Sequence, residues 1–166
     1  MSELHAGQPF PHFGLGAACR ASDGSIKETT LSLSEAEGKP LIIFFYPKDA
    51  TSGCTIEVCN FRDQYQSFQE SGIAVWGVSR DTVRSHGKFI ENQNLPYPLL
   101  ADPQRELLTA CDLLQAGTMY GKPVTRVART TFALDGNGII RHIWHDVQPL
   151  GHATEVLTWC REHLNT

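Results

Sequence analysis

Apolar positions follow two rhythms along this chain, and each change of rhythm marks an element. The run LIIFFY at 41–46 is apolar at every position, as suits a strand buried on both faces. IAVWGV at 73–78 reads the same way. Between them Cys54, Val58, Phe61, Tyr65 and Phe68 recur at helical spacing, and predict a helix from about Ser52 to Glu70. Asp81, as an N-cap, predicts a second helix through Val83, His86, Phe89 and Ile90. A short strand is expected from Tyr97 to Ala101. Pro103, at a first helical position, then opens a helix that turns Leu107, Leu108, Cys111 and Leu114 inward. Thr131–Leu134 and Ile139–Trp144 flank Asp135-Gly-Asn-Gly138, a strong hairpin signal, and a last helix runs from about His152 to His163. Near the start, Ser22-Asp23-Gly24 marks a turn between short strands. This order predicts an α/β three-layer sandwich: a mixed sheet with helices on both faces and an N-terminal β extension.

Composition narrows the function classes. The chain has 166 residues with no repeat or linker, so one domain over 1–166 is expected. A net charge of −4 and the lack of any basic run give no electrostatic case for nucleic acid or an anionic membrane. The opening MSELHAGQPFPHF has no apolar signal-peptide core, and the longest apolar run is far too short to cross a bilayer. Five cysteines, an odd count in a chain long enough to fold without staples, argue against a secreted disulfide framework and for a reducing cytoplasm. The histidines are scattered, and His142 and His145 would face opposite sides of a strand, so no metal site is expected. No glycine-rich nucleotide motif occurs, and no bound cofactor is expected.

The chemistry concentrates in TSGCTIEVCNF, residues 51–61. Cys54 falls in the first helical turn, where unpaired N–H groups and the positive end of the helix dipole favour a thiolate. Taken alone, Cys54 reads equally well as a small core residue. Cys59, five residues on, is rotated off the apolar stripe. In an intact helix the two Cα atoms lie roughly 8–9 Å apart. A disulfide needs less than about 7 Å. Either the pairing is accidental or the first turns melt to form the bond. Cys111 and Cys160 lie on apolar helix faces and read as core. Cys19, in a strand-like stretch, reads as core, with minor oxidation as its other reading.

FYPKDATSGCTIEVCNFRD resembles the active-site segment of the peroxiredoxins, thiol peroxidases on a thioredoxin-like fold, and most of all the bacterioferritin comigratory protein or peroxiredoxin Q group. The group's Pro-x-x-x-Thr/Ser-x-x-Cys motif lands on Pro47, Thr51 and Cys54, its second cysteine on Cys59, and its arginine before a Thr/Ser-Thr-Phe strand on Arg129. Weaker matches cover nearly the whole chain. The resemblance implies that Cys54 attacks hydrogen peroxide or an organic hydroperoxide and becomes a sulfenic acid. Cys59 then resolves it to an intramolecular disulfide, which thioredoxin or a similar dithiol reduces. It further implies that Arg129 and Thr51 contact the thiolate and the peroxide, that Pro47 shields the sulfur, and that the Gly53 and Cys54 N–H groups complete an anion site. A monomer is expected. Two departures stand out: Ser52 replaces the usual proline, and GKPVTRVAR replaces a tyrosine-containing loop. A dithiol oxidoreductase would want C-x-x-C and a cis-proline before the Thr131 strand, yet no proline lies between Pro123 and Pro149. A non-catalytic peroxide sensor or redox-binding module on the same fold would use the same cysteine pair.

Overall fold

The computed structural model describes residues 4–164. Its centre is β3 (Leu41–Phe45), buried at every position as the unbroken apolar run requires. β4 (Ala74–Ser79) pairs parallel on one side of it, and β8 (Thr130–Leu134) antiparallel on the other. β5 (Leu99–Ala101) extends the sheet parallel to β4. The N-terminal hairpin β1 (Gly14–Arg20) and β2 (Ile26–Ser32) joins antiparallel through β1. With β9 (Ile140–Trp144) beyond β8, seven strands lie in the order β2-β1-β5-β4-β3-β8-β9. The mixed sheet and its N-terminal extension are as expected.

Alternation along β3 divides the core. Ile42, Phe44 and Tyr46 face α1 (Ser52–Glu70), α2 (Val83–Gln93) and α4 (His152–His163). Leu41, Ile43 and Phe45 face a thinner layer made of a 3-10 turn at Leu33–Ala36, Phe10, Val127 and the short α3 (Glu106–Ala110). Cys54, Val58, Phe61 and Phe68 are buried and Tyr65 packs beside them, so the predicted stripe is the docking face of α1. Phe61 stacks on Phe44 with ring centroids 4.4 Å apart, which seats the middle of α1 on the central strand.

Three expectations are corrected. The N-cap of α2 is Thr82, whose hydroxyl accepts from the Ser85 N–H; Asp81 is taken up by the Ser79 hydroxyl and the Asp49 N–H. The third helix does not begin at Pro103. Arg105 adopts a left-handed φ of 60°, and the Asp102 carboxylate accepts from the Glu106 and Leu108 N–H groups, so helix is confined to Glu106–Ala110. Leu107, Leu108 and Cys111 are buried as expected, but Leu114 opens a strand. That strand, β6 (Leu114–Met119), pairs with β7 (Lys122–Val127) in a separate hairpin that the apolar pattern did not announce. Its turn, Tyr120-Gly121, has positive φ at both positions, the primed geometry that suits twisted hairpins. The remaining boundaries shift by one or two residues; Tyr46 lies past the end of β3, yet its N–H still reaches the Val78 carbonyl.

Gly77 lies opposite Phe44 in the β3–β4 register. A Cβ there would come within 2.9 Å of the Phe44 ring and 2.7 Å of Leu99 Cδ2. Gly77→Ala should therefore destabilise the fold by about 1–3 kcal/mol through overpacking. Urea unfolding checks this, and a midpoint equal to that of the parent would show that the Phe44–Phe61 stack has slack.

Candidate active site

The site begins where the C-terminal end of β3 leads to the first turn of α1. After Tyr46 the chain turns through Pro47–Ala50, where Ala50 sits at φ 64°, and enters the helix at the extended N-cap Thr51. The first intrahelical bond runs from the Thr55 N–H to the Thr51 carbonyl. Helix geometry leaves the N–H groups of Ser52, Gly53 and Cys54 without intrahelical acceptors, which makes the turn electropositive. Cys54 points from this turn into the core and is fully buried.

Arg129, just before β8, reaches across to the same turn. Its Nη2 donates to Cys54 Sγ at 3.5 Å, and its Nη1 to Glu57 Oε1 at 2.6 Å. Gly53 leaves room for this approach, because a Cβ there would stand 3.3 Å from Nη2. Burial opposes the charge on Arg129, but the bond and charge of Glu57, with the charge of Cys54, more than offset it and hold the guanidinium protonated. Glu57 is fully buried, and its Oε2 has no partner. Burial pushes its carboxyl up to about 7, against the hydrogen bond and charge of Arg129. The full burial of Glu57 sets this pair apart from a surface salt bridge.

Thr51 is at the expected place but its hydroxyl is not on the sulfur. It donates to the Lys48 carbonyl at 2.9 Å and caps no N–H of α1. Pro47 is half-buried and lines a cleft of about 440 Å³ that it shares with Arg129, Arg80, Met119 and Val147. Cys59 lies in the same unbroken helix, half-buried, and its Sγ donates to Gln93 Oε1 of α2 at 3.4 Å. Burial pushes its thiol up, with Arg62 opposing. Cys54 and Cys59 are both free thiols. Cys111 and Cys160 are buried free thiols whose desolvation pushes them up to about 12, as core residues should be. Cys19 is half-buried in β1. Among the described residues no cluster of histidine, cysteine or carboxylate could hold a metal, and no helix is long and apolar enough to cross a membrane.

Glu57 is the functional residue that sequence reasoning missed. It lies three positions after Cys54, on the adjacent turn of the same helix face, and a carboxylate on an otherwise apolar stripe was the available signal.

A cysteine at a helix start, facing an arginine across an α/β sandwich with a mixed sheet, defines a thiol-redox protein on a thioredoxin-like fold. Residues 6–143 match the AhpC/TSA family, and the chain belongs to it. It is 41% identical over 128 residues to peroxiredoxin Bcp of Bacillus subtilis, covering 77% of this chain and 82% of that protein. Among solved structures, Xylella fastidiosa PrxQ, crystallised as a mutant, superposes with a TM-score of 0.87 at 31% identity, covering 99% of this chain and 100% of that one. The Xanthomonas campestris bacterioferritin comigratory protein, studied for its alkyl peroxide reduction activity, superposes at 0.83 with 34% identity, over 96% and 99%. The resemblance to peroxiredoxin Q carried by the cysteine motif is thus borne out across the fold.

Glu57 gives the site a pH signature. Its folded value of about 7 lies above its ordinary 4.5, so the folded state binds a proton that the unfolded chain has already lost. The associated stability is fully present below pH 4.5 and is lost as pH rises through about 7. Glu57→Gln keeps an oxygen for Arg129 but does not titrate. The melting temperature of the parent relative to Glu57→Gln should therefore fall between these limits. A constant difference across that range would show that Glu57 is ionised throughout.

Proposed function

We propose that this protein is a thiol peroxidase that uses Cys54 as nucleophile and Cys59 as resolving thiol. The observation that carries the reading is the 3.5 Å approach of the Arg129 guanidinium to a sulfur in the first turn of a helix. Peroxide enters beside Pro47 and Arg129. The Cys54 thiolate attacks one peroxide oxygen, the O–O bond breaks, and the leaving oxygen departs as water or alcohol after taking a proton from solvent. Arg129 and the free N–H groups of Gly53 and Cys54 face the charge that moves from sulfur to oxygen. Thr51 contributes its place rather than a proton: its hydroxyl hydrogen is committed to Lys48, and its lone pairs remain to accept from the peroxide.

The sulfenic acid on Cys54 condenses with the Cys59 thiol, releasing water and forming a disulfide. That requires the helix between them to unwind, since α1 as it stands holds the pair out of bonding range. The bridge is then exchanged to an external dithiol of the thioredoxin type, in a reducing, cytoplasm-like compartment. An intramolecular bridge needs no second subunit, so the working unit is a monomer. The alkyl peroxide activity of the Xanthomonas relative supports organic hydroperoxides as substrates beside hydrogen peroxide.

Steady-state turnover of hydrogen peroxide and an organic hydroperoxide, with thioredoxin as reductant, tests the reading. Cys54→Ser should abolish turnover, whereas Cys160→Ser should retain it. Arg129→Met should lower the rate constant for peroxide by about 10²–10³-fold, the cost of losing a group aimed at developing charge. One round of oxidation that then stops despite abundant reductant would instead assign a sensor, and turnover by Cys54→Ser would remove the nucleophile from this site.

A further inference from the structure

Asp49, in the turn that leads to Cys54, is held on every side. Its N–H donates to Asp81 Oδ2 at 2.8 Å. Its Oδ1 accepts from the Tyr46 hydroxyl at 2.6 Å, and its Oδ2 from the Ser85 hydroxyl at 2.7 Å. The same Oδ2 lies 2.7 Å from Nδ1 of His86, a histidine with no solvent exposure in the first turn of α2. His86 Nε2 lies 2.8 Å from the Leu100 carbonyl of β5. A carbonyl can only accept, so Nε2 carries a hydrogen. One further proton is shared between Nδ1 and Oδ2, because both atoms would otherwise present lone pairs to each other. His86 is therefore a strut from β5 to the turn, with no rotational freedom left.

The same turn contains Ala50 at φ 64°, a conformation that a residue with a Cβ adopts only when its surroundings impose it. Pro47, Thr51 and the start of α1 follow from where this turn is held. Arg129 supplies no such hold, since it grips α1 itself through Glu57. At its other end α2 takes up Cys59 and Arg62, through the Gln93 side chain and carbonyl. One helix thus braces the segment on both sides of Cys54.

We infer that His86 is a positioning residue for the peroxide reaction: through Asp49 it holds the turn before Cys54 in the form that presents the sulfur to Arg129. This rests on the peroxidase reading above. Attack on peroxide needs that held form, whereas disulfide formation needs the helix start released. Loss of the His86–Asp49 contact should therefore slow the first step and leave the second unslowed. A purely structural histidine would lower stability and leave both rates alone.

Two substitutions separate the roles. The amide nitrogen of Asn falls near the Nδ1 position of histidine, and that of Gln near Nε2. His86→Asn therefore keeps the donor to Asp49 and loses Leu100, while His86→Gln keeps Leu100 and loses Asp49. Sulfenic acid and disulfide are counted by quenched-flow mass spectrometry of the reduced, full-length protein mixed with hydrogen peroxide. For His86→Gln, sulfenic acid formation should slow by about tenfold or more, the scale of a small misplacement of reacting groups. His86→Asn should stay within about threefold of the parent, and disulfide formation should be at least as fast in both. Hydrogen exchange at residues 48–54 of the reduced protein should quicken in His86→Gln only. Should His86→Gln fail to fold, Asp49→Ala removes the same grip from the turn and should show the same slowing. A parent-like first step in His86→Gln or Asp49→Ala overturns the inference, as does equal slowing in the Asn and Gln variants. A parent protein inert to peroxide would sink the peroxidase reading instead.

Discussion

The Arg129 guanidinium spans Cys54 and Glu57 across the first turn of α1, and this bridge ties the sheet to the helix at the Cys54 sulfur. A half-buried cation gains from a hydrogen-bonded carboxyl partner, and Glu57 supplies one. Burial weakens Glu57 as an acid, against the hydrogen bond and charge of Arg129. A fully ionised glutamate would compete with a thiolate for the same guanidinium. The site gains a located arginine from one carboxyl group whose second oxygen is left without a partner.

The second constraint is the helix itself. While α1 is wound, Cys59 hydrogen-bonds Gln93 and its thiol is raised by burial, so it is a poor nucleophile and a distant one. Cys54 meanwhile has Arg129 and the free N–H groups of the first turn. On the proposed mechanism the wound helix suits attack on peroxide, and only an unwound one could close the bridge. Local opening of a few turns costs less than global unfolding, so one segment could serve both proposed steps in sequence. The Phe44–Phe61 stack seats α1 just beyond Cys59 and gives the opening a natural limit.

Much of this was legible in the residues. The apolar run of β3 and the i, i+4, i+7 stripe of α1 each have a single reading, because burial on both faces or on one face leaves its mark at every position. α4 and the β8–β9 hairpin were equally plain. Illegible features came from side chains that act on backbone far from their own periodicity. Asp102 turned aside a helix that Pro103 announced, Thr82 displaced Asp81 as cap, and β6–β7 formed from mostly exposed, polar strands around a two-residue turn. In the candidate site, Cys54, Cys59 and Arg129 were singled out by motif. The lysine carbonyl that takes the Thr51 hydroxyl, and the carboxylate that takes Arg129, could not be found this way, since both partnerships are made only by the folded turn.

The most direct test follows the helix through oxidation. The reduced protein is treated with one equivalent of hydrogen peroxide, then examined by peptide mass spectrometry and hydrogen exchange. Cys54 and Cys59 should be found linked within one chain, with two hydrogens lost. Exchange over residues 51–61 should quicken while β3 and β4 stay protected. A Cys54–Cys59 bridge formed with the first turns of α1 still protected, or a bridge from Cys54 to any other cysteine, would contradict the coupling of chemistry to unwinding.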